Sequence, residues 1–419
     1  MWTKNRQIGH VDEAGRLVLP PDVAARLGLR PGAAVMMELD DHVLRLFRST
    51  AALAKVYVEP TNACNLDCIT CMRNVWDEPL GTMSAETYGR VLEGLAAFDP
   101  VPTVYFSGIG EPLAHPRIVE MVRQAKALGA RVELMSNGIL LDEAMATRLI
   151  EADLDMLWVS LDGATPESYA DVRLGATLPL VVENLRRLPF LRYRGSRLKT
   201  VMPLGIAFVA MRRNVAELPA LLQLGARLGA KAFSITNVLA HTPELRDEML
   251  YQAAMTNGPR QASSELPRVS FPRMDLTDVT QAPLSDLLRG NVSVQTAGGE
   301  VGRGLYTCPF VEKGALAIRW DGGVSPCLPL LHTHDSYLHD RRRRSHAYAV
   351  GNVRESPLPD LWRAPDYQAL RERLALFDYS PCVDCNCCDL PEENREDCLS
   401  NTSPACGGCL WAQGIIQCP

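Results

Sequence analysis

The sequence lacks several features that would assign it to a simple class of protein. It has no apolar run approaching the roughly 18–20 residues of a membrane helix, and its first residues, MWTKNRQIGHVDEAG, hold no apolar signal-peptide core. It has no internal repeats or low-complexity tracts. It has no excess of basic charge, because 43 Lys and Arg face 49 Asp and Glu. We therefore expect a soluble cytoplasmic protein that lacks the broadly basic surface of nucleic-acid-binding proteins.

The composition that is present is that of a globular chain, with 47% hydrophobic and 22% charged residues in a length of 419. This excludes disordered and collagenous chains, and the length predicts two or three domains. The 13 cysteines are distributed unevenly, with Cys64, Cys68 and Cys71 followed by none for 236 residues and then by ten between Cys308 and Cys418. A secreted disulfide scaffold would be short and carry a signal, so these clusters indicate metal ligands or redox groups.

Residues 1–50 form the first predicted unit. The stretch GRLVLPPDVAARLGLRPG predicts a strand, a short helix capped by Asp22 and a turn, and residues 35–39 and 43–47 predict a hairpin. About 50 residues bury little core, so this unit needs a partner or a second copy. It resembles the swapped-hairpin domain of AbrB and SpoVT transition-state regulators, which implies an intertwined homodimer. DNA binding is not expected, because the first 30 residues contain five basic and three acidic residues and so carry little net positive charge to contact phosphates.

Residues 51–240 show a different rhythm, in which apolar strands alternate with amphipathic helices. We predict strands at 55–60, 103–107, 131–136, 156–160, 205–210 and 232–236, and helices near 84–97, 115–128, 142–151, 178–189 and 215–228. This alternation predicts an α/β fold of right-handed βαβ units that close into a partial (β/α)6 barrel. Ligand chemistry is then expected at the carboxyl ends of the strands. Residues 241–307 are taken as a bridge, and residues 308–419 as a loop-rich domain stabilised by metal clusters.

The first cysteine group follows the first predicted strand as Cys64-Asn-Leu-Asp-Cys68-Ile-Thr-Cys71. A [4Fe–4S] cluster normally takes four thiolates, so three leave one iron open to bind a substrate or cofactor. The alternatives are a zinc site or three buried structural thiols. Zinc is disfavoured because no fourth Cys or His lies nearby at ligand spacing, and the place after a strand favours catalysis over structure.

This spacing, on the loop after the first strand of a partial barrel, resembles the signature of radical S-adenosylmethionine (SAM) enzymes over roughly residues 50–240. The resemblance implies that the open iron binds the amino and carboxylate groups of SAM. It also implies that an electron from the cluster cleaves the sulfonium, and that the resulting 5′-deoxyadenosyl radical abstracts a hydrogen atom from the substrate.

Further motifs at strand ends resemble the SAM cradle of that family. They are SGIGEP at 107–112, SNG at 136–138 and SLDG at 160–163, and they imply SAM contacts by Gly108, Gly110, Glu111, Ser136, Asn137, Ser160, Asp162 and Arg173. Glycines let the backbone approach a ligand, a carboxylate accepts from an ammonium, and hydroxyl and amide groups suit ribose. For Arg173, a surface salt bridge is the alternative to binding a carboxylate. The sequence identifies no catalytic acid or base.

The C-terminal cysteines, together with Cys308-Pro, Ser-Pro-Cys327 and Val-Gly-Asn-Val at 350–353, resemble the SPASM extension of peptide- and protein-modifying radical enzymes. This implies auxiliary iron–sulfur clusters. Two [4Fe–4S] clusters need eight thiolates, so about two of the ten cysteines are spare, and one of these is Cys387 or Cys388 because adjacent residues do not easily share a cubane. The candidate ligands are Cys308, Cys327, Cys382, Cys385, Cys388, Cys398, Cys406, Cys409 and Cys418. Cys308 and Cys327 are expected to begin one cluster, and Cys382 and Cys385 the other. A zinc ribbon joining Cys382 and Cys385 to Cys406 and Cys409 is the alternative, but it leaves Cys308 and Cys327 unexplained.

The ending CGGCLWAQGIIQCP, the segment RNVWDE after the first cysteines and the AbrB-like head resemble radical enzymes that mature tungsten-cofactor oxidoreductases. We predict a maturase that takes a hydrogen atom from a peptide, protein or cofactor substrate, with ferredoxin or flavodoxin as reductant and an aldehyde:ferredoxin oxidoreductase as partner. The alternatives are a crosslink-forming enzyme of ribosomal peptides, a redox-responsive iron–sulfur DNA-binding regulator and an electron-transfer scaffold. The cradle motifs argue against the regulator, because a sensor needs no cofactor cradle.

Two weaker features lie between residues 332 and 346. His332, His334, His339 and His346 are predicted to lie in a solvated loop, with metal binding as the alternative. The four arginines at 341–344 are predicted to be a solvated, mobile segment, with docking of an acidic partner as the alternative.

Overall fold

The fold is known from a computed structural model. It describes residues 8–30, 35–40, 43–194, 202–251, 268–271, 277–283, 293–296, 299–301, 306–338, 341–383 and 388–418. Over these ranges, no helix combines the length and the apolar character that crossing a membrane requires.

The N-terminal unit consists of two small hairpins and a helix. Strands β1 (His10–Val11) and β2 (Leu17–Val18) pair with each other, helix α1 (Pro21–Arg26) follows, and β3 (Met37–Asp40) pairs with β4 (Val43–Leu46). The predicted order of strand, helix and hairpin is present. The predicted cap is wrong, because α1 has Pro20 at its N-cap and Asp22 in its first turn. Large apolar side chains of this unit are exposed, with Leu39 at 81%.

The central unit is a parallel sheet covered by helices. Its strands are β5 (Lys55–Val58), β6 (Thr103–Phe106), β7 (Val132–Ser136), β8 (Met156–Ser160), β9 (Leu204–Ala210) and β10 (Ala230–Asn237). Its helices are α2 (Ala85–Ala96), α3 (Ile118–Ala127), α4 (Glu143–Glu151), α5 (Pro166–Val172), α6 (Leu178–Arg194) and α7 (Leu218–Arg227). The strands pair in sequence order, so the six predicted strands and five predicted helices are present. Helix α5 is an addition to the prediction.

Helix α2 illustrates how the sequence builds this layer. The side chain of Ser84 accepts a hydrogen bond from the Thr87 N–H and so caps the helix. Tyr88, Val91 and Leu95 recur at helical spacing and are buried against the sheet. Each buried side chain of this size stabilises the fold by about 1.5–3 kcal/mol relative to its exposure.

The C-terminal part of the chain extends the same sheet. Its remaining strands are β11 (Arg268–Phe271), β12 (Ser293–Thr296), β13 (Gly299–Val301), β14 (Ala315–Ile318), β15 (Gly323–Ser325), β16 (His334–Leu338), β17 (Arg341–Ser345) and β18 (Gly351–Asn352). Its helices are α8 (Pro309–Glu312), α9 (Leu358–Arg363) and α10 (Pro365–Leu376). Strand β14 pairs in parallel with β5, and β15 and β18 follow it, so the sheet has nine strands in the order β10-β9-β8-β7-β6-β5-β14-β15-β18. The expectation of a loop-rich domain is therefore met only in part.

The end of the chain packs against the face of the sheet opposite the helices. Tyr57 and Tyr105 lie on that face in an apolar cluster with Phe310, and Trp411 and Cys418 pack against this cluster. The tail is tied to the edge strand β10, where the Gln417 N–H donates to the Thr236 hydroxyl at 2.9 Å and Asn237 Nδ2 donates to the Ile415 carbonyl at 2.9 Å. The tail thereby covers part of an otherwise open edge.

The four arginines at 341–344 belong to strand β17, so the prediction of a mobile segment is wrong. Arg341 donates to the Cys388 carbonyl at 2.7 Å and pairs with Asp389 at 2.9 Å. Arg342 and Arg344 pair with Asp335 on the neighbouring strand at 2.5 Å and 3.4 Å. The bonds of Arg341 hold the hairpin of β16 and β17 to residues 388–389, and those of Arg342 and Arg344 join the two strands of the hairpin to each other.

Candidate active site

One cavity at the carboxyl ends of β5 to β8 collects the predicted site residues. It encloses about 810 Å³, part of it open to solvent, and its lining includes Cys64, Cys68, Cys71, Gly108, Gly110, Glu111, Ser136, Asn137, Ser160 and Arg173. These residues come from five separate segments of the sequence, which are the loops after β5 and β6, the carboxyl ends of β7 and β8, and the end of α5. They meet because the carboxyl ends of parallel strands share one edge of a sheet.

Asp162 is the one predicted SAM contact that does not line this cavity. Its carboxylate is fully buried, accepts the Val209 N–H at 2.8 Å and lies 2.6 Å from Arg173 Nη2. Asp162 therefore lies behind Arg173 and forms no part of the cavity wall.

Arg173 is 8% exposed, which excludes a surface salt bridge. Burial alone would lower the pKa of Arg173, but the charge of Asp162 and then that of Cys68 raise it above the usual value. Its Nε has no hydrogen-bond acceptor among the described residues, although it is buried. A buried cation with an N–H left over suits a ligand that carries a carboxylate.

The three cysteines of the cavity lie on the loop after β5 and at the start of a short 3-10 turn (Met72–Val75). Burial raises the pKa of Cys68 to about 11, and the neighbouring Arg173, whose Nη1 is 3.9 Å from the sulfur, opposes that rise. The Leu66 and Arg73 backbones donate hydrogen bonds to the sulfurs of Cys64 and Cys71. Such donors stabilise thiolate ligands of iron–sulfur clusters.

The spacing of these thiols does not suit a single metal ion. Across the described ranges, no three His, Cys, Asp or Glu side chains are grouped closely enough to hold one. A cubane places each thiolate on a different iron, so its ligands stand further apart around a larger group. Three thiols on the wall of a roomy cavity, with donors aimed at their sulfurs, fit such a cluster better than they fit zinc.

The glycines and Glu111 shape the wall between the loops after β6 and β7. Gly108 has φ +127°, and a Cβ on Gly110 would lie 2.2 Å from the Thr61 carbonyl oxygen, so neither position accepts a side chain. The Glu111 carboxylate accepts the Leu113 N–H at 2.9 Å and the Asn137 N–H at 2.7 Å. Burial raises the pKa of Glu111, and these hydrogen bonds partly offset the rise. Glu111 thus fixes the two loops to each other.

A second group of thiols consists of Cys308, Cys327, Cys406 and Cys409. Cys308 is the N-cap of α8, Cys327 follows β15, and the other two close the CGGC loop (residues 406–409). All four interact electrostatically, burial raises the pKa of each, and backbone N–H groups donate to the sulfurs of Cys308, Cys327 and Cys409. Cys327, Cys406 and Cys409 line a cavity of about 660 Å³. Cys308 and Cys327, which were predicted to begin one cluster, thus lie near each other and near the CGGC loop.

The remaining described cysteines make other contacts. Cys382 stands in a turn (residues 380–383, the Cys382 turn), where the Ser380 hydroxyl is 2.8 Å from the sulfur of Cys398. Cys388 and Cys398 are exposed. The Cys418 sulfur accepts the Trp411 indole N–H at 3.4 Å. Cys385 was predicted to be a partner of Cys382, but it lies outside the described residues, as do Cys387 and His339.

Comparison with known proteins decides the family. Residues 58–206 match the radical SAM superfamily and residues 308–389 match SPASM, an iron-sulfur cluster-binding domain. The "Tungsten-containing aldehyde ferredoxin oxidoreductase cofactor-modifying protein" of Pyrococcus furiosus is 31% identical over 369 residues, which are 87% of this chain and 96% of that protein. The chain belongs to the radical SAM superfamily. It is a radical SAM enzyme with a [4Fe–4S] cluster and SAM as cofactors and a SPASM domain for auxiliary iron–sulfur clusters.

Other radical SAM relatives match a smaller part of the chain. The "Mycofactocin maturase MftC" of Mycobacterium tuberculosis is 30% identical over 41% of this chain and 41% of its own length. The "PqqA peptide cyclase" of Gluconobacter oxydans is 32% identical over 44% of this chain and 48% of its own length. The crystal structure of Streptococcus suis SuiB bound to S-adenosylmethionine is 16% identical, with a TM-score of 0.51 over 80% of this chain and 71% of that chain. The SuiB match shows a common fold.

A buried ionic cluster that the sequence did not indicate joins the radical SAM domain to the SPASM domain. His332 is 1% exposed, so the predicted solvated loop is wrong here. Its Nε2 lies 3.0 Å from the Glu59 carboxylate and its Nδ1 lies 2.5 Å from Glu78. Burial lowers the pKa of His332, but the hydrogen bonds to Glu59 and Glu78 outweigh burial and raise it to about 9. Glu59 also accepts the Ile109 N–H at 3.1 Å and so supports the glycine loop of the cavity.

His241 is a second residue of the radical SAM cavity that the sequence did not indicate. It follows β10 and lines the cavity, and its Nδ1 lies 2.8 Å from the Asp335 carbonyl. Its ring centroid is 5.5 Å from that of the buried His334. Burial and, to a smaller extent, His334 lower the pKa of His241 to about 4. A neutral imidazole is therefore present at the cavity wall. Its place after a strand end is the one sequence signal that was available.

Proposed function

We propose that this radical SAM enzyme is a maturase of a tungsten-containing oxidoreductase, acting on a peptide, protein or cofactor substrate. The observation that carries the chemistry is the single cavity shared by three cysteines and the strand-end motifs. The assignment to tungsten enzymes is supported by the name of the Pyrococcus furiosus relative, which aligns over 96% of its length.

In this proposal Cys64, Cys68 and Cys71 hold the [4Fe–4S] cluster, and Gly108, Gly110, Glu111, Ser136, Asn137, Ser160 and Arg173 surround SAM. When bound, the cluster and SAM supply reductive cleavage of the sulfonium and a 5′-deoxyadenosyl radical that abstracts a hydrogen atom from the substrate. The reductant is a ferredoxin or flavodoxin.

The side chains and backbone of the cavity bind and orient SAM. Arg173 offers a buried positive charge to the SAM carboxylate, and Asp162 holds the guanidinium from behind at 2.6 Å. Glu111 keeps the loops after β6 and β7 at a fixed separation through its two backbone N–H contacts. The absence of side chains at Gly108 and Gly110 lets the ligand approach the backbone.

The auxiliary clusters are assigned to two groups of cysteines. Cys308, Cys327, Cys406 and Cys409 hold the first, because the four thiols interact electrostatically and three of them, Cys327, Cys406 and Cys409, line the 660 Å³ cavity. Cys382 belongs to the second, with Cys385, Cys388 and Cys398 as its further ligands. Cys418 is then left as the spare thiol together with Cys387, because the other eight cysteines supply the ligands of both clusters. The proposed domain limits remain 1–50, 51–240, 241–307 and 308–419.

The N-terminal unit is proposed to be an AbrB-like dimerisation module. Its hairpins expose Val11, Met37 and Leu39, and apolar surface of this kind is buried by a second copy in swapped-hairpin dimers. We expect the protein to work as a homodimer in the cytoplasm.

Modification of a ribosomal peptide is the second candidate. It is favoured by the similarity to the "PqqA peptide cyclase" and the "Mycofactocin maturase MftC", each over less than half of their length. The two candidates differ in the substrate and share the chemistry of the cavity.

Anaerobic reconstitution with iron and sulfide, followed by incubation with SAM and dithionite, tests the proposal. We expect 5′-deoxyadenosine to form and iron to reach about twelve atoms per chain, since the three proposed [4Fe–4S] clusters hold four atoms each. A variant with Cys64, Cys68 and Cys71 replaced by alanine should lose 5′-deoxyadenosine formation, while Cys418→Ala should retain it. Adding the tungsten oxidoreductase or a short peptide then separates the two substrates by which one is altered.

A further inference from the structure

The guanidinium of Arg343 is inserted into the CGGC loop. Its Nη1 donates to the Gly408 carbonyl at 2.7 Å, and its Nε donates to the Pro391 carbonyl at 2.8 Å. A Cβ on Gly408 would lie 1.5 Å from Arg343 Nη2. The second glycine of the loop therefore makes the room that the guanidinium occupies.

Arg343 also stands between the two groups of C-terminal cysteines. Burial lowers its pKa, while the charges of Cys382 and then Cys409 raise it, so both sulfurs lie within electrostatic reach of the guanidinium. The CGGC loop touches the Cys382 turn directly, since a Cβ on Gly407 would lie 1.9 Å from the Ser380 carbonyl and 3.4 Å from the Cys382 sulfur.

Arg343 differs from its neighbours on β17 in its partners. Arg341 pairs with Asp389, and Arg342 and Arg344 pair with Asp335. Within the part of the chain that the structure describes, Arg343 has carbonyl oxygens as partners and no carboxylate. Its positive charge is therefore not neutralised by an acidic side chain there, and it faces sulfur atoms instead.

We propose that Arg343 is a positioning residue for both auxiliary clusters, which fixes the CGGC loop against the Cys382 turn and makes the clusters easier to reduce. This rests on the proposed assignment of the two cysteine groups to two clusters. A cluster gains negative charge on reduction, so a nearby positive charge in a poorly solvated site stabilises the reduced form and raises the potential. One side chain then acts on both clusters at once.

The test compares Arg343→Gln with Arg343→Lys, using Arg342→Gln as the matched control on the exposed side of the same strand. Reconstituted proteins are titrated with dithionite against redox mediators, and the reduced clusters are followed by electron paramagnetic resonance. For Arg343→Gln we expect the ratio of reduced to oxidised auxiliary cluster at a fixed potential to fall about tenfold, a shift of about 59 mV for a one-electron couple. Arg343→Lys, which keeps the charge, and Arg342→Gln should stay near the wild-type potentials.

Equal potentials in Arg343→Gln and Arg342→Gln would overturn the inference. If Arg343→Gln loses the auxiliary clusters, the potentials of Arg343→Lys decide between a role of the charge and a role of packing. If the clusters of Arg343→Lys have the wild-type potential, the charge of the side chain is responsible. If Arg343→Lys also loses the clusters, or shows the same shift in potential as Arg343→Gln, the inference is overturned and the effect is one of packing. A wild-type protein with iron well below about twelve atoms per chain would instead refute the proposed assignment of two auxiliary clusters beside the SAM cluster, before any variant is compared.

Discussion

Replacing His332 by glutamine tests how the buried ionic cluster supports the active site. The imidazole joins Glu59 at the end of β5 to Glu78 in the loop beyond Cys71, and Arg319 lies 3.6 Å from Glu78. Glutamine keeps the polarity but cannot carry the positive charge between the two carboxylates. We expect the Glu59 side chain to be left with an uncompensated buried charge and the glycine loop at Ile109 to lose its support.

The magnitude follows from the pKa of His332, which is about 9 against 6.5 in an unfolded chain. A shift of one unit corresponds to about 1.4 kcal/mol, so the charged imidazole stabilises the fold by about 3 kcal/mol below pH 6.5. Because the folded-state pKa is raised, this contribution is fully present below pH 6.5 and is lost as pH rises through 9. Removal of one partner of a buried ion pair costs about 3–5 kcal/mol, which agrees in size.

The assay is urea unfolding of the anaerobic protein at several pH values between 6 and 9.5, followed by circular dichroism. As the pH rises from 6 to 9.5, the unfolding free energy of the wild type should fall by about 3 kcal/mol more than that of His332→Gln. His346→Gln is the matched control, because His346 pairs with Glu393 at the partly exposed surface at 3.2 Å. The reasoning is refuted if His332→Gln retains the same fall in stability with pH as wild type and His346→Gln.

Three further predictions concern other parts of the molecule. Asp162→Asn should weaken SAM binding at least about tenfold, measured by equilibrium dialysis, because hydrogen bonds to charged groups contribute about 1.5–3 kcal/mol, whereas Asp171→Asn at an exposed carboxylate should not. Gly110→Ala should abolish 5′-deoxyadenosine formation, because its Cβ would lie 2.2 Å from a backbone oxygen; Gly89→Ala, which has nothing within 4 Å, should leave the activity intact. Leu39→Glu should turn a dimer into a monomer in sedimentation, and Leu399→Glu, at another exposed leucine, should leave the dimer. An unchanged dimer in Leu39→Glu would contradict the proposed role of the N-terminal hairpins.

The strand-end motifs could be predicted because the geometry of a parallel sheet brings them together whatever the details of the loops. Glu111 and Ser136 are separated in sequence, yet Glu111 follows β6 and Ser136 ends β7, and neighbouring parallel strands end at the same edge. The same argument places Asp162 near the cavity, but in the structure it does not line the wall. Which way a side chain turns depends on its partner, here Arg173, and spacing along the chain does not contain that information.

The parts that could not be predicted depend on contacts between distant segments. His332 meets Glu59 across 273 positions, and no local pattern marks either residue. The strand at 341–344 could not be predicted because four identical arginines show no alternation of apolar and polar side chains, which is the sequence signal of a strand. In the structure the alternation lies in their partners, since Arg342 and Arg344 pair with Asp335, whereas Arg343 reaches the CGGC loop.

The parallel pairing of β14 with β5 has a consequence for how the SPASM domain can evolve or be engineered. The Lys55 and Glu59 N–H groups donate to the Gly314 and Ile318 carbonyls, so the strand that precedes Cys64 is bonded to the strand that follows Cys308. The distance between the two metal-binding regions is then set by the ladder of one sheet rather than by a hinge. A chain truncated before Cys308 would leave β5 as an exposed edge strand with unpaired backbone N–H and C=O groups. The SPASM domain therefore cannot be moved to another barrel unless that barrel provides a strand that pairs with β14 as β5 does.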